Sequence, residues 1–209
     1  MKKALSFTAI LLVLIYSLLS FSGCTTLVTE AAKKALEDRT TEDQVLDAKI
    51  ASSIINQLSA KDKGLLLDVG VDVWEQRVLL TGTLDSAQVH SEVIAIVKSD
   101  SRITQLYEHV QIVTTEEKEA RRKQKEESGE SDGAGDTVSD IWIETKIQAQ
   151  LLTAQNVTSL NYRWRSVQGK IYIIGRSKDS LERDYALEII RNTKGVQSVT
   201  HYIEIKPVS

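Results

Sequence analysis

Val78-Leu79-Leu80-Thr81-Gly82 and Ile171-Tyr172-Ile173-Ile174-Gly175 are two versions of one stretch, an apolar run ending in glycine. With Gly82 set against Gly175, Val97 meets Ile190 and Ile103 meets Val196. Further on, Leu106 meets Val199, Val110 meets Ile203 and Ile112 meets Ile205. Apolar positions hold register with no gap, which marks an internal repeat. Upstream, Lys49-Ile50 is set against Lys146-Ile147, which requires about four extra residues between helix and strand in the first copy. A repeat argues for two small domains and against one large enzyme core, and each copy serves as a control for the other.

Each copy reads helix, strand, strand, helix, strand. In the first, Leu46, Ile50, Ile54 and Leu58 recur four apart and predict a helix over 43–58, with Thr41 or Glu42-Asp43 at its acidic start. Leu67–Val73 alternates apolar and polar and predicts a half-buried strand. Glu75-Gln76 turns the chain into a strand over 77–84, Asp85 or Ser86 caps a helix reaching Lys98, and 106–113 closes the unit. The second copy predicts helices over 139–153 and 180–192, strands over 160–165, 170–176 and 199–206, and a turn at Gln168-Gly169. Two helices on one side of a three-stranded sheet is the economical packing, an α+β fold in two tandem αββαβ units. Polar Asp68, Asp72, Arg163 and Arg165 predict that the other sheet face meets solvent. Gly82 and Gly175 end equivalent strands and are expected to be scaffold, placed where a Cβ would collide.

The organisation predicted is a leader over 1–24, a tether over 25–40, a first domain over 41–115, a charged linker over 116–136 and a second domain over 137–209. Lys2-Lys3 begin the leader, a nearly unbroken apolar run occupies 4–19, and Phe21-Ser22-Gly23-Cys24 ends it. That order describes a bacterial export signal. Cys24 is the sole cysteine, so no internal disulfide can form. Ser-Gly-Cys in this position resembles the lipobox of bacterial lipoproteins, which implies an acylated Cys24 as the first mature residue. Several acyl chains anchor a protein stably where one does not. Thr25 follows, and the resemblance implies the periplasmic face of the outer membrane, because lipoproteins kept at the inner membrane typically carry Asp there. The 185 residues after Cys24 suffice for two small domains.

The net charge of −3 hides an asymmetry. Residues 41–115 carry 11 acidic and 6 basic side chains, whereas 137–209 carry 7 acidic and 10 basic. Only the second copy has the sign that suits an anionic surface. The linker, with 8 acidic and 5 basic residues, holds Gly129, Gly133 and Gly135, but no strand precedes them and no Lys-Ser/Thr pair follows, so it is not a phosphate loop. His90, His109 and His201 are scattered, and no Ser or Cys sits beside a base, so neither a catalytic site nor a metal or cofactor is expected. The acidic first copy and the predicted location argue against nucleic acid.

The second copy opens Asp140-Ile141-Trp142-Ile143-Glu144-Thr145-Lys146-Ile147-Gln148-Ala149-Gln150-Leu151-Leu152-Thr153. This run, with the tandem αββαβ plan, the strand ending in glycine and Gly195–Val199, resembles the dual BON-domain outer-membrane lipoproteins of Gram-negative bacteria. The resemblance covers nearly all of the chain after Cys24 and is stronger in the second copy. It implies a second domain that binds anionic phospholipid, such as phosphatidylglycerol or cardiolipin, through this helix, and a protein that supports outer-membrane integrity.

The helix supports that reading on its own chemistry. Ile143, Ile147 and Leu151 are spaced for a core, and Trp142, Thr145, Lys146, Ala149 and Leu152 fall on another stripe. An indole at headgroup level, an ammonium for phosphate and a Leu towards the acyl boundary suit a shallow membrane contact. Arg163, Arg165 and Lys170 are expected to add longer-range attraction. In the register used above, the first copy places Val45, Ala48, Lys49, Ser52 and Ile55 at the matching positions. A second reading stays open: a protein-interaction module for outer-membrane assembly machinery or envelope enzymes, with Trp142 in a protein groove.

Overall fold

The computed structural model describes residues 37–114, 116, 117, 119, 120, 123 and 136–207. The leader, Cys24, the tether as far as residue 36 and most of the 116–136 linker lie outside the described residues. Both repeats belong to one compact unit, Asp38–Ser209.

The first repeat runs α1 (Thr41–Lys61), α2 (Leu65–Asp68), β1 (Val69–Trp74), β2 (Arg77–Leu84), α3 (Ala87–Lys98) and β3 (Gln105–Ile112). The second runs α4 (Asp136–Thr153), a 3-10 turn (Ser159–Asn161), β4 (Tyr162–Val167), β5 (Lys170–Ser177), α5 (Ser180–Arg191) and β6 (Ser198–Ile205). In each three-stranded sheet the glycine-bearing strand is central, antiparallel to the strand before it and parallel to the one after. A parallel pair needs a crossover, and α3 and α5 supply it. Side-chain oxygens start the helices: Thr40, Ser86 and Asp179 accept from the backbone N–H of Asp43, Val89 and Glu182.

The two hairpins turn on Glu75-Gln76 (φ 49° and 64°) and Gln168-Gly169 (φ 56° and 75°). Both central residues are left-handed, the twist a two-residue hairpin favours, although only one of the four is glycine. A helix carboxylate holds each turn. Asp47 accepts from Glu75 N and Gln76 N, both at 2.7 Å. Asp140 accepts from Gln168 N at 2.6 Å and Gly169 N at 2.8 Å.

That shared clamp corrects the alignment of the first helices. Asp47 and Asp140 correspond, as do Ile50, Ile54 and Leu58 with the equally buried Ile143, Ile147 and Leu151. The spacing is 93 residues, the same that relates every strand and both crossover helices. No residues are inserted between helix and strand. Lys49-Ile50 therefore does not correspond to Lys146-Ile147; Lys49 corresponds to Trp142.

Two strand starts also differ from expectation. Residues 65–68 are helical and β1 begins at Val69, leaving Leu67 at 90% exposure. Leu160 likewise falls in the 3-10 turn and not in β4. Leu-Asp-Val alternation fits either conformation, and the central glycine decides between them. A Cβ on Gly82 (φ +132°) would lie 1.9 Å from the Asp68 carbonyl oxygen; one on Gly175 would lie 2.1 Å from that of Asn161. The last residue of each helical turn thus presses onto the central strand, and only glycine admits it.

Helices lie on one face of each sheet, over Ile50, Ile54, Val78, Leu80, Val93 and Val97 in the first repeat and Ile147, Leu151, Ile171, Ile173, Ala186 and Ile190 in the second. The other face is not the solvent face the sequence predicts. The two sheets pack on each other there, around Trp74, Leu79, Val167, Tyr172 and Ile174, with Tyr107 stacked on Tyr202 at 3.7 Å. Arg165 pairs bidentately with Asp72 across the junction at 2.6 and 3.1 Å. His109 Nε2 meets the Tyr202 hydroxyl at 2.6 Å. Both pairs join positions 93 residues apart, so equivalent residues meet across a pseudo-twofold axis. Polar residues are tolerated on these faces because they find partners: Arg77, 5% exposed, donates to the carbonyls of Tyr202 and Gly175.

Candidate functional site

The α4 helix is oriented at its start by Asp140, which also accepts from the Ser166 hydroxyl. Glu144 next accepts from Ser166 N at 2.7 Å and fixes one flank to β4. Burial raises the Glu144 carboxyl above its ordinary pKa, against the opposing pull of the Ser166 N–H and Arg165. Gly195 brings the loop before β6 within 3.0 Å of Ile143 for an added Cβ. On that same flank Thr193 Oγ1 donates to Gln150 at 2.6 Å.

With Ile143, Ile147 and Leu151 committed to the core, the opposite face carries all five residues of the predicted stripe. Trp142 is 62% and Leu152 68% exposed; Thr145 and Ala149 are exposed and Lys146 is half-buried. Lys146 Nζ lies 5.4 Å from the Trp142 ring centroid, a cation–π arrangement that holds the ammonium beside the indole. Thr145 Oγ1 donates back to the Ile141 carbonyl at 2.8 Å, leaving the Thr methyl on the surface.

The corrected register sharpens the comparison with the first repeat. The counterparts of Trp142, Thr145, Lys146, Ala149 and Leu152 are Lys49, Ser52, Ser53, Asn56 and Ser59, in place of the set containing Val45, Ala48 and Ile55. All five are polar. At these five positions the helix is hydrophilic in the first repeat, which exposes Val45 and Ile55 elsewhere, and amphipathic in the second, on an unchanged scaffold.

Arg163 and Arg165 do not join this face. They lie on the sheet surface turned towards the first repeat, Arg165 on Asp72 and Arg163 with its guanidinium 5.2 Å from the Trp74 ring centre. Alternation along β4 sends them there once Tyr162 and Trp164 are turned to the helices. Lys170 is exposed at the start of β5. Other exposed apolar residues of the second repeat escaped the sequence reading: Ile141 (57% exposed), Leu181 (79%) and Tyr185 (43%), with Ile205 at the end of β6. For Leu181 and Tyr185 the signal was present in the gap-free alignment, where they stand opposite Gln88 and Glu92.

The histidines serve separate contacts. His90 meets Glu108 at 3.0 Å, and His109 stacks on Tyr172 as well as meeting Tyr202. Burial lowers the pKa of His109 against the pull of Glu108; burial, then Arg183 and Arg191, lowers that of His201. Among the described residues no group of three or more His, Cys, Asp or Glu is placed to hold a metal. No helix among them is long and apolar enough to cross a membrane.

An uncharacterized protein in the gshII 5'region of Anaplasma centrale is 26% identical over 160 residues, covering 77% of this chain and 95% of the relative. A 21 kDa hemolysin of Actinobacillus pleuropneumoniae is 22% identical over 162 residues, covering 78% of this chain and 73% of its own. Among solved structures, CdsD, a structural protein of the type III secretion system of Chlamydia trachomatis, aligns at 11% identity over 67% of this chain and 86% of its own. Its TM-score is 0.29, too low to add to the fold. The profile of the BON domain matches 139–207. Residues 139–207, the repeat whose first helix presents Trp142 and Lys146, are a BON domain.

Proposed function

We propose that this protein is a non-catalytic lipoprotein of the outer membrane, anchored on the periplasmic side through acylated Cys24. Its BON domain docks on anionic phospholipid through the outer face of α4, and the protein supports envelope integrity. The first repeat, built on the same αββαβ plan, acts as a second BON domain whose acidic surface suits protein contact or orientation of its neighbour. The observation that carries the reading is the divergence of one helix face: Lys49, Ser52, Ser53, Asn56 and Ser59 against Trp142, Thr145, Lys146, Ala149 and Leu152. Packing does not require the change, because the core positions beneath are matched. An exposed indole with an ammonium over its ring seats at the headgroup level and offers a phosphate partner, while Leu152 faces the acyl boundary. Exposed Lys170 adds attraction on the order of 1 kcal/mol at an anionic surface.

The test is co-sedimentation of the chain from Thr25 onward, which keeps the whole compact unit, with vesicles of phosphatidylcholine alone or mixed with phosphatidylglycerol or cardiolipin. Binding is expected only with the anionic lipids, weakening as salt screens the charge. Trp142→Ala is expected to weaken it about tenfold, while thermal unfolding stays within about 0.5 kcal/mol of the parent because the ring is mostly in water. Binding that ignores lipid charge, salt and Trp142 overturns the proposal and points to a protein groove.

A further inference from the structure

We infer that the bilayer-facing surface extends from α4 onto α5, with Leu181 and Tyr185 forming its second edge. This rests on the phospholipid reading above and names residues outside the helix on which that reading stands.

The seating of α5 decides which of its side chains face outward. Ala186, Leu187 and Ile190 are buried against the sheet. Glu182 accepts from Thr158 N at 2.6 Å, just beyond the end of α4, and Thr193 donates to Gln150 within α4. Both contacts fall on the last turn of α4 and the segment just after it, the end of the helix that carries Leu152. The other flank of α5 carries Arg183 and Arg191, whose charges act on His201 of β6. What remains is the side directed away from the sheet, and one turn apart on it stand Leu181, 79% exposed, and Tyr185, 43% exposed. Helices packed side by side on one sheet face have axes about 10 Å apart. A flat surface that receives Trp142 and Leu152 from α4 also meets the outermost side chains of α5.

The first repeat supplies a control independent of α4. The counterparts of Leu181 and Tyr185 are Gln88 and Glu92, which bond to each other at 3.2 Å, and Glu92 also pairs with Lys61. Beneath them the buried positions stay apolar in both copies, Val93 against Ala186 and Val97 against Ile190. Polar side chains are thus replaced by apolar ones at outward positions of both helices of the second repeat, while the interior keeps its character. The first repeat exposes Val45, Ile55, Leu66 and Leu67 on its own helices; what sets the second apart is that Trp142, Leu152, Leu181 and Tyr185 stand where the first copy is polar, around the Lys146 ammonium. The occupant is an anionic bilayer, because the patch is the outer face of two adjacent helices and carries the Lys146 ammonium within it; the charge comes from that lysine, since Arg163, Arg165, Arg176 and Lys206 are engaged with the first repeat. Exposed Asp184, paired with Arg183, and exposed Glu188 limit the footprint on this helix.

The experiment uses the chain from Thr25 onward, which contains no cysteine, so that Leu181→Cys gives a unique site for an environment-sensitive fluorophore. Gln88→Cys is the matched control. On phosphatidylglycerol-containing vesicles the label at 181 is expected to shift to the blue and to be quenched by lipid-borne quenchers, and the label at 88 to stay as in water. Unlabelled Leu181→Ser/Tyr185→Ser, with native circular dichroism, is expected to bind the same vesicles about tenfold more weakly. If the parent sediments with anionic vesicles in a Trp142-dependent way, yet the label at 181 reports water and the double variant binds like the parent, the extension onto α5 is wrong and the α4 reading stands. If the parent does not sediment at all, both fall.

Discussion

Glu144 lies one residue past a core position of α4 and gives its carboxylate to the Ser166 N–H. Burial raises its pKa above the ordinary 4.5, so the native state holds the proton more tightly than the unfolded chain. Stability contributed in this way is present in acid and falls as pH rises from the unfolded value through the raised native one. Glu144→Gln keeps an oxygen for Ser166 N and removes the titration. Urea unfolding at pH 4 and pH 7 is expected to show the variant gaining on the parent as pH rises; a difference that does not change with pH would count against it. The outward placement of Trp142, Lys146 and Leu152 was legible in the sequence because a helix repeats every 3.6 residues and three apolar core positions fix the phase. Leu181 and Tyr185 were not singled out, since a lone Leu in a short helix looks like core until the burial of its neighbours is known.

The helices and hairpins were legible to within a few residues, and the turns were placed correctly from Glu75-Gln76 and Gln168-Gly169. What the sequence hid was the use of Asp47 and Asp140. An acidic residue near a helix start reads as an N-terminal charge, yet these two carboxylates reach backbone amides 28 and 29 positions away. The same oversight produced the four-residue gap, since Lys-Ile pairs matched by identity alone while the clamp matches by contact. Removing one clamp leaves two turn N–H groups and the Ser166 hydroxyl without their acceptor. Asp140→Ala is therefore expected to destabilise the chain by about 3 kcal/mol, read by urea denaturation, with Asp47→Ala close to it. A cost under about 0.5 kcal/mol for both would show that the turns hold themselves.

At the scale of the whole molecule, the packing of sheet on sheet was illegible, because the residues that make it resemble a solvent face. Asp72 and Arg165 read as solvated charges with no partner; in the fold Asp72 is nearly buried and holds the partly exposed Arg165 across the pseudo-twofold axis. A hint lay in Val78-Leu79-Leu80 and Ile171-Tyr172-Ile173-Ile174, unbroken apolar runs of the kind carried by strands buried on both faces. Equivalent positions bearing opposite charges also favour pairing of unlike repeats, since two first repeats would set Asp72 against Asp72. Asp72→Arg is expected to destabilise the unit by about 2 kcal/mol and Arg165→Asp to restore part of it in the double variant, with a coupling of about 1 kcal/mol. Additive single effects in denaturant would show that the pair contributes nothing specific. The order of layers, helices, sheet, sheet, helices, puts α1 and α3 on one outer side and α4 and α5 on the other. Sheets stack about 10 Å apart, and a helix layer beyond each brings the separation of the two outer sides to roughly 30 Å. If α4 and α5 seat on lipid as proposed, a partner of the first repeat would be held at that stand-off height above the headgroups, and the repeat would double as a spacer of built-in length.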